Sequence, residues 1–279
     1  MKELINHITA QLATVYPEDE AQALAWWIME EETGLSRSQM LTGCKGTTNF
    51  SNLQAKIERI LHFEPIQYIF GHTLWNGLDL KVTPATLIPR PETAELVERI
   101  SIFQISNFKF QITNCRVLDI GTGSGCIAIA LKKAHPEWQV TGIDISEEAI
   151  EVAKENAKRN GVEVEFLVAD IFNLQSPISN LQYDIIVSNP PYICESEKAD
   201  MRPNVLNYEP ATALFVPDND PLKFYRRIAE LKLGKHLFFE INEAYPDELS
   251  AMLSELGYTD IQITNDIYGK PRIIEARMA

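Results

Sequence analysis

From residue 116 to the end of the chain, short apolar runs alternate with segments of helical periodicity. The apolar runs predict seven strands, at 117–120, 139–143, 164–168, 183–187, 236–241, 261–264 and 272–277. The intervening segments predict helices, at 126–133, 147–160, 222–231 and 246–256. Such alternation is typical of an α/β fold whose mostly parallel sheet is covered by helices on both faces. We expect the last strand to pair antiparallel with its predecessor.

The first third of the chain has a different pattern. Apolar residues recur there at helical spacing in three successive segments, which predicts a small helical bundle. An Asn76-Gly77 pair between two short strand-like runs then predicts a β-hairpin, because both central turn residues need positive φ. The chain is therefore predicted to have three parts: an N-terminal helical domain at 1–69, a hairpin linker at 70–89 and an α/β domain at 90–279.

A glycine-rich turn follows the first strand of the α/β part, in the stretch VLDIGTGSGCIAIAL. Gly121, Gly123 and Gly125 lead directly into a helix, so backbone N–H groups and the positive helix end can bind an anionic group. Asp144 ends the next strand, about twenty residues further on, where a carboxylate can accept both hydroxyls of a ribose. The pattern predicts a ligand that contains a nucleoside.

Two classes of cofactor fit such a loop. Dinucleotide-binding proteins prefer G-x-G-x-x-G, whereas this loop is G-x-G-x-G followed by Cys126 and Ile127. The difference favours S-adenosylmethionine, whose carboxylate would take the place of a pyrophosphate. Asp170, after the third strand, can accept a hydrogen bond from the adenine amino group while Ile171 packs on the ring. The predicted cofactor-binding residues are Gly121, Thr122, Gly123, Ser124, Gly125, Asp144, Asp170, Ile171 and Asn189.

The fourth strand runs directly into Asn189-Pro190-Pro191-Tyr192. The Asn189 side-chain oxygen and the Pro190 carbonyl can each accept one N–H of a planar amide or exocyclic amine, and Tyr192 offers a flat face. Both proline rings fix φ, so the two acceptors are rigid before substrate binds. The same residues would also make a stiff turn without function. The glycine loop upstream favours the catalytic interpretation.

The glycine loop, Asp144 and NPPY together resemble a class I methyltransferase with a Rossmann-like sheet that acts on a planar exocyclic nitrogen. With TPATLIPRPETAELVE and the helical first third included, the whole chain resembles the HemK/PrmC family. This resemblance implies methyl transfer from S-adenosylmethionine to the side-chain amide of the glutamine in the GGQ motif of peptide chain release factors, with S-adenosylhomocysteine as product.

The same resemblance implies roles for further residues. The helical domain is expected to contact the release factor, and Arg90 and Glu92 to shape the substrate entrance or the cofactor lid, although Glu92 also suits an ordinary first helical turn. The expected catalytic residues are Asn189, Pro190 and Tyr192. The expected substrate-binding residues are Asn189, Pro190, Pro191 and Tyr192.

Three other functions use parts of this pattern. A DNA adenine or RNA guanine methyltransferase would use NPPY in the same way, but it should carry a basic groove, and the net charge of this chain is −14. A nicotinamide oxidoreductase is disfavoured by the loop spacing. A non-enzymatic scaffold that binds an adenosyl ligand would bind without turnover.

Composition gives the remaining expectations. The chain has no apolar stretch as long as a membrane helix and no signal-peptide core, so we expect a cytoplasmic protein without a membrane partner. Its four cysteines are widely spaced and include no C-x-x-C pair, which predicts reduced thiols and no metal site. The acidic net charge disfavours direct binding of nucleic acid. The protein is expected to be a monomer.

Overall fold

The computed structural model describes residues 1–44, 52–106, 114–174, 178 and 181–279, without the side chains of 104–106. The chain forms two compact units. The first comprises Met1–Gly71 and Arg202–Tyr208, and the second comprises His72–Met201 and Glu209–Ala279. None of the helices in these described parts is long and apolar enough to span a membrane.

The described residues form eleven α-helices and eleven strands, numbered in chain order. The helices are α1 (Lys2–Leu12), α2 (Glu18–Thr33), α3 (Arg37–Leu41), α4 (Leu53–Leu61), α5 (Ile66–Phe70), α6 (Thr93–Ser106), α7 (Cys126–Ala134), α8 (Glu147–Arg159), α9 (Pro203–Leu206), α10 (Lys223–Leu231) and α11 (Pro246–Glu255). The strands are β1 (His72–Trp75), β2 (Leu78–Lys81), β3 (Arg116–Ile120), β4 (Gln139–Asp144), β5 (Glu165–Val168), β6 (Tyr183–Ser188), β7 (Ile193–Cys194), β8 (Phe215–Val216), β9 (Gly234–Glu240), β10 (Tyr258–Asn265) and β11 (Pro271–Met278).

The first unit is helical, as its periodicity predicts. Residues three or four apart share one face of a helix, so Ile8 and Leu12 of α1 point to the same side and are fully buried. They belong to one apolar cluster with Ile28 of α2 and Ile57 of α4. The short helix α9 also belongs to this unit, although it follows β7 in the chain.

The predicted hairpin is confirmed and belongs to the second unit. Strands β1 and β2 pair antiparallel, with Trp75 opposite Leu78. Asn76 and Gly77 form the two-residue turn with φ of 47° and 73°. Both values are positive, as a tight hairpin turn of this type requires. Trp75, Leu78 and Leu80 are buried in the core of the second unit.

The second unit is built around a seven-stranded sheet in the order β10-β11-β9-β6-β3-β4-β5. The neighbouring strands pair parallel, except that β11 pairs antiparallel with both β9 and β10. The predicted α/β fold, with seven strands and an antiparallel C-terminal strand, is therefore confirmed. The short parallel pair of β7 and β8 was not predicted, because strands of two residues carry no periodicity.

Alternate residues of each strand face opposite helix layers. Val117 and Val187 lie in the apolar cluster formed with α6, α7 and α8. Leu118 and Ile186 lie in the cluster formed with α10 and α11. Helices thus cover both faces of the sheet, which buries most of the central parallel strands and leaves their carboxyl ends free for a binding site.

The order of the strands determines where that site lies. Strand β3 has β4 on one side and β6 on the other. The chain therefore adds β4 and β5 on one side of β3 and then crosses over to add β6 on the other side. A crevice forms at such a reversal because the two flanking connections diverge, and ligands of open α/β sheets bind there, outside the carboxyl ends of the strands.

Candidate active site

A cavity of about 460 Å³ lies at the carboxyl ends of β3, β4, β5 and β6. Ile120, Ile143, Ala169 and Ser188, at or just after these strand ends, contribute to its wall. The volume falls within the range of small-molecule sites. All residues that line this cavity belong to the second unit.

The glycine loop forms one wall. Gly121 and Gly123 line the cavity with φ of 72° and 54°. Their backbone conformation is one that residues with a side chain rarely adopt, and no protein atom lies within 4 Å of where a Cβ would be. A ligand can therefore approach this backbone closely.

The N–H groups of the loop are mostly used within the fold. Gly121 and Thr122 both donate to the Ile143 carbonyl, at 2.9 Å. Gly123 donates to Asp144 and Gly125 donates to the Thr122 carbonyl. The N–H groups of this loop were predicted to bind an anionic group. In the structure, these four N–H groups already donate to acceptors in β4 and in the loop itself.

Gly125 does not line the cavity and has another role. It precedes α7 with φ of 81°, and a Cβ there would lie 3.0 Å from Ile129 Cδ1 and 3.1 Å from both Ala153 Cβ and Phe166 Cζ. The glycine lets α7 pack closely against α8 and β5. Gly125 was predicted to bind the cofactor, and the contacts around its Cβ position indicate a packing role.

Asp144 is held by two backbone amides at the end of β4. Its Oδ2 accepts from the Gly123 N–H at 2.9 Å, and its Oδ1 accepts from the Ser146 N–H at 3.0 Å. Burial raises the pKa of Asp144, whereas these hydrogen bonds oppose the shift. Each oxygen keeps a lone pair, and Asp144 lines the cavity.

An apolar slot lies next to Asp144. Ile145 and Phe172 line the cavity, yet they are 63% and 44% exposed, which is unusual for large apolar side chains. Asp170 and Ile171 lie beside them as predicted, and Asp170 Oδ1 accepts from the Phe172 N–H at 2.9 Å. Ile145 and Phe172 were not predicted. The available signal was an apolar residue within two positions of each acid at a strand end, Ile145 after Asp144 and Phe172 after Asp170.

The NPPY segment forms the opposite wall. Asn189, Pro190 and Pro191 line the cavity directly after β6. The Ser188 hydroxyl donates to the Ile120 carbonyl at 2.6 Å, which ties the ends of β6 and β3 together. Asn189, the predicted acceptor, thus lies in the same cavity as the glycine loop that precedes it by more than sixty residues.

Tyr192 was predicted to offer a flat face to the substrate. It is not among the residues that line the cavity; its hydroxyl donates to Glu240 Oε1 at 3.1 Å. Its backbone carbonyl accepts from Asn242 Nδ2 at 3.0 Å. Burial raises the pKa of Tyr192, so the phenol keeps its proton. These two hydrogen bonds anchor Tyr192 to Glu240 and Asn242.

Two polar residues that sequence analysis did not identify lie beneath Asn189. The Asn189 Nδ2 donates to Thr93 Oγ1 at 3.3 Å, and the Thr93 hydroxyl donates to Glu240 Oε2 at 2.7 Å. Thr93 and Glu240 are buried. Both come from positions far from NPPY in the chain, so no local motif could have joined them to it.

An ion pair between a partly exposed arginine and a buried glutamate connects two loops of the cavity wall. Arg90 Nη2 lies 2.7 Å from Glu209 Oε1, and the Ile88 N–H donates to Glu209 Oε2 at 3.1 Å. Arg90 lines the cavity, as does Pro210, which follows Glu209. Glu92 does not line the cavity. Glu209 therefore holds the 88–90 segment and the 209–215 segment in fixed positions at the wall.

A second buried acid lies behind the glycine loop. Asp119 Oδ2 accepts from the Thr122 hydroxyl at 2.6 Å, and Asp119 Oδ1 has no partner among the described side chains and backbone. Complete burial raises the pKa of Asp119 to about 7.

In the described parts of the chain, no group of three or more His, Cys, Asp or Glu side chains is placed to hold a metal ion.

Two family models match this chain. A PrmC N-terminal domain matches residues 3–71, and a methyltransferase domain matches residues 112–231. The release factor glutamine methyltransferase of Bacteroides thetaiotaomicron is 43% identical, with 99% of each chain covered. The enzyme of the same name from Flavobacterium psychrophilum is 41% identical, with 99% of this chain and 98% of that protein covered.

The fold is also similar to that of solved structures. The hMettl16 catalytic domain has a TM-score of 0.57 at 17% identity, with 97% of this chain and 92% of that chain covered. At this low identity the similarity concerns the fold, which is that of class I methyltransferases.

Proposed function

We propose that this chain, which belongs to the family of release factor glutamine methyltransferases, transfers a methyl group from S-adenosylmethionine to the side-chain amide nitrogen of a glutamine in a peptide chain release factor. Family resemblance implies that this glutamine is the one in the GGQ motif. The observation that carries the proposal is one cavity that has the glycine loop on one wall and Asn189-Pro190-Pro191 on the other.

The cavity residues fit S-adenosylmethionine. The free lone pairs of the Asp144 carboxylate suit the ribose hydroxyls, and the exposed faces of Ile145 and Phe172 suit a flat adenine ring. Ile171 adds to the apolar wall, and the second oxygen of Asp170 is the proposed acceptor for the adenine amino group. When bound, S-adenosylmethionine supplies an electrophilic methyl group on its sulfonium sulfur.

The substrate amide requires two fixed acceptors. An amide nitrogen is a weak nucleophile because its lone pair is delocalised into the carbonyl group. We assign Asn189 Oδ1 and the Pro190 carbonyl to the two N–H groups of the glutamine. The Asn189 Nδ2 donates a hydrogen bond to Thr93, which leaves Oδ1 free to accept from the glutamine. The acceptors fix the amide plane before reaction, and such positioning is a main source of rate enhancement.

The remaining NPPY residues keep these acceptors in place. Pro190 and Pro191 have fixed φ and carry no N–H that could compete for the acceptor atoms. Tyr192 anchors the segment through Glu240 and Asn242. The nitrogen gains the methyl group and loses one proton to solvent, so this scheme requires no general base.

We further propose that residues 1–69 recognise the release factor, that 70–89 link the two parts and that 90–279 carry out catalysis. The first unit contributes no residue to the cavity wall, and a family model of its own matches residues 3–71. The surface of residues 1–69 would select one glutamine in a large protein, which the small cavity alone cannot do.

The test is methyl transfer from radiolabelled S-adenosylmethionine to a purified bacterial release factor. The same factor with its GGQ glutamine changed to alanine, duplex DNA and ribosomal RNA are run beside it. We expect label on the intact factor alone. Label on nucleic acid with none on the factor would refute the proposed substrate.

The proposed acceptor is tested by Asn189→Ala. We expect kcat to fall at least about a hundredfold, because the reacting nitrogen loses one of its two fixed partners. Asn265→Ala is the matched control, since Asn265 is exposed at the end of the outer strand β10. Equal activity of the two variants would remove Asn189 from the mechanism.

A further inference from the structure

We propose that Glu240, acting through the Thr93 hydroxyl, sets which end of the Asn189 carboxamide faces the substrate, and is thus a positioning residue for methyl transfer. The inference rests on the proposed function above and adds to it two residues outside the NPPY motif. Glu240 ends β9, next to β6 in the sheet, and Thr93 begins α6.

The contacts form one chain from Glu240 to Asn189. Glu240 Oε2 accepts from the Thr93 hydroxyl at 2.7 Å, and Thr93 Oγ1 accepts from Asn189 Nδ2 at 3.3 Å. Thr93 and Glu240 are 2% and 1% exposed. Water therefore has little access to either side chain and cannot easily replace these partners.

The direction of the bonds follows from the number of protons. A hydroxyl has one proton, and an ionised carboxylate can only accept. Thr93 must therefore donate to Glu240, so its oxygen can only accept from Asn189. The Asn189 Nδ2 is then committed to Thr93, and Oδ1 is left as the acceptor at the cavity. The carboxamide of an asparagine is nearly symmetric in shape, so without this constraint either end could face the substrate.

A proton on Glu240 would reverse the direction of these hydrogen bonds. The protonated carboxyl would donate to Thr93, the Thr93 hydroxyl would turn towards Asn189, and Asn189 would present Nδ2 to the substrate N–H groups. Burial raises the pKa of Glu240, whereas the hydrogen bonds from Thr93 and Tyr192 and the positive charge of Arg272 lower it. The titratable or charged groups that act on Glu240 from the surrounding elements are Arg272, Glu92, Tyr192, Tyr225 and Cys126.

Glu240→Gln tests the idea with almost no change in shape. The Tyr192 hydroxyl donates to Oε1 and has no other acceptor among the described residues, so the glutamine should keep its oxygen on that side. Its Nε2 then faces Thr93 and reverses the bond to Asn189. We expect kcat to fall about tenfold to a hundredfold, with unchanged KM for the release factor and an unchanged dissociation constant for S-adenosylmethionine.

Two substitutions of Thr93 separate the hydroxyl from the packing. Thr93→Val keeps the shape and loses the hydroxyl, and it should lower kcat to a similar extent as Glu240→Gln. Thr93→Ser keeps the hydroxyl and should retain most of kcat. Glu240→Gln in the Asn189→Ala background should cause no further loss. A full, additive loss in that background would show that Glu240 does not act through Asn189, and would overturn the proposal.

The orientation is also measured directly, without the release factor. In ¹⁵N-labelled enzyme, the Asn189 side-chain NH₂ signal is identified by its absence from the Asn189→Ala variant. We expect this signal to move in Glu240→Gln and Thr93→Val and to stay in place in Thr93→Ser. An unmoved signal in Glu240→Gln overturns the proposal, whatever happens to kcat. If the wild-type enzyme transfers no methyl group to a release factor, the proposed function fails, and the NMR result still decides the orientation.

Discussion

Gly125→Ala should lower the stability of the protein more than a glycine substitution that changes only the backbone. Alanine at φ of 81° has a left-handed conformation, which costs about 1–2 kcal/mol. The new Cβ would also lie 3.0 to 3.1 Å from Ile129, Ala153 and Phe166. The end of the isoleucine can move, but the Ala153 Cβ can move only with α8, and overpacking of this kind costs about 1–3 kcal/mol.

Gly161→Ala is the matched control for this experiment. Gly161 follows α8 with φ of 69°, and a Cβ there has no atom within 4 Å. Gly161→Ala should therefore lower the free energy of unfolding by about 1–2 kcal/mol, whereas Gly125→Ala should lower it by about 2–5 kcal/mol. For a domain of about 200 residues, these values correspond to falls in melting temperature of about 2–8 °C and 4–20 °C.

The assay is thermal unfolding of both variants beside the wild type, with S-adenosylmethionine binding measured by calorimetry. Gly123→Ala serves as a third variant, because Gly123 lines the cavity and has open space at its Cβ position. It should show the stability loss of Gly161→Ala but bind the cofactor more weakly. If Gly125→Ala is no less stable than Gly161→Ala, the packing role assigned to Gly125 is wrong.

Three further predictions concern buried or partly buried acids. The pKa of Asp119 is about 7 in the folded protein and near 4 in the unfolded chain, so the folded state binds the extra proton and stability should fall as pH rises between these values; Asp119→Asn should flatten this part of the curve of melting temperature against pH, and an unchanged curve would contradict the assignment. Asp144→Asn should weaken S-adenosylmethionine binding about tenfold to a hundredfold, because charge-assisted hydrogen bonds contribute about 1.5–3 kcal/mol; calorimetry with an unchanged dissociation constant would exclude the ribose role. Glu209→Gln should weaken cofactor binding and lower the melting temperature together, since Glu209 holds Arg90 and the Ile88 N–H; an effect on neither would show that the two loops are held independently.

Most of the fold could be predicted from local patterns. Asn76-Gly77 determines the hairpin because few other residue pairs adopt positive φ at both positions. The continuous apolar runs of β3 and β6 indicate strands buried on both faces, and their helical connections require them to be parallel. The strand order was not predicted, since periodicity does not say which strands are neighbours.

The candidate site was predictable where one strand end supplies the residue. Asp144 ends β4 and Asn189 directly follows β6, so the parallel sheet brings them to the same edge. Sequence patterns are less informative where packing decides the role of a residue. Gly125 looks equivalent to Gly121 in the sequence, yet its Cβ position is enclosed and that of Gly121 is open.

The structure also explains why a motif such as Asn-Pro-Pro-Tyr cannot define an acceptor site by itself. The four residues provide a carboxamide and a carbonyl, but a carboxamide offers a donor and an acceptor at nearly equivalent positions. Which one faces the cavity depends on Thr93 and Glu240. Thr93 lies 96 residues before Asn189 in the chain, and Glu240 lies 147 residues after Thr93. The sheet brings Asn189 and Glu240 together because β6 and β9 are neighbours, and Thr93 joins them from the start of α6. A short motif and a correct fold are therefore both needed before the polarity of the site, and with it the reaction, is determined.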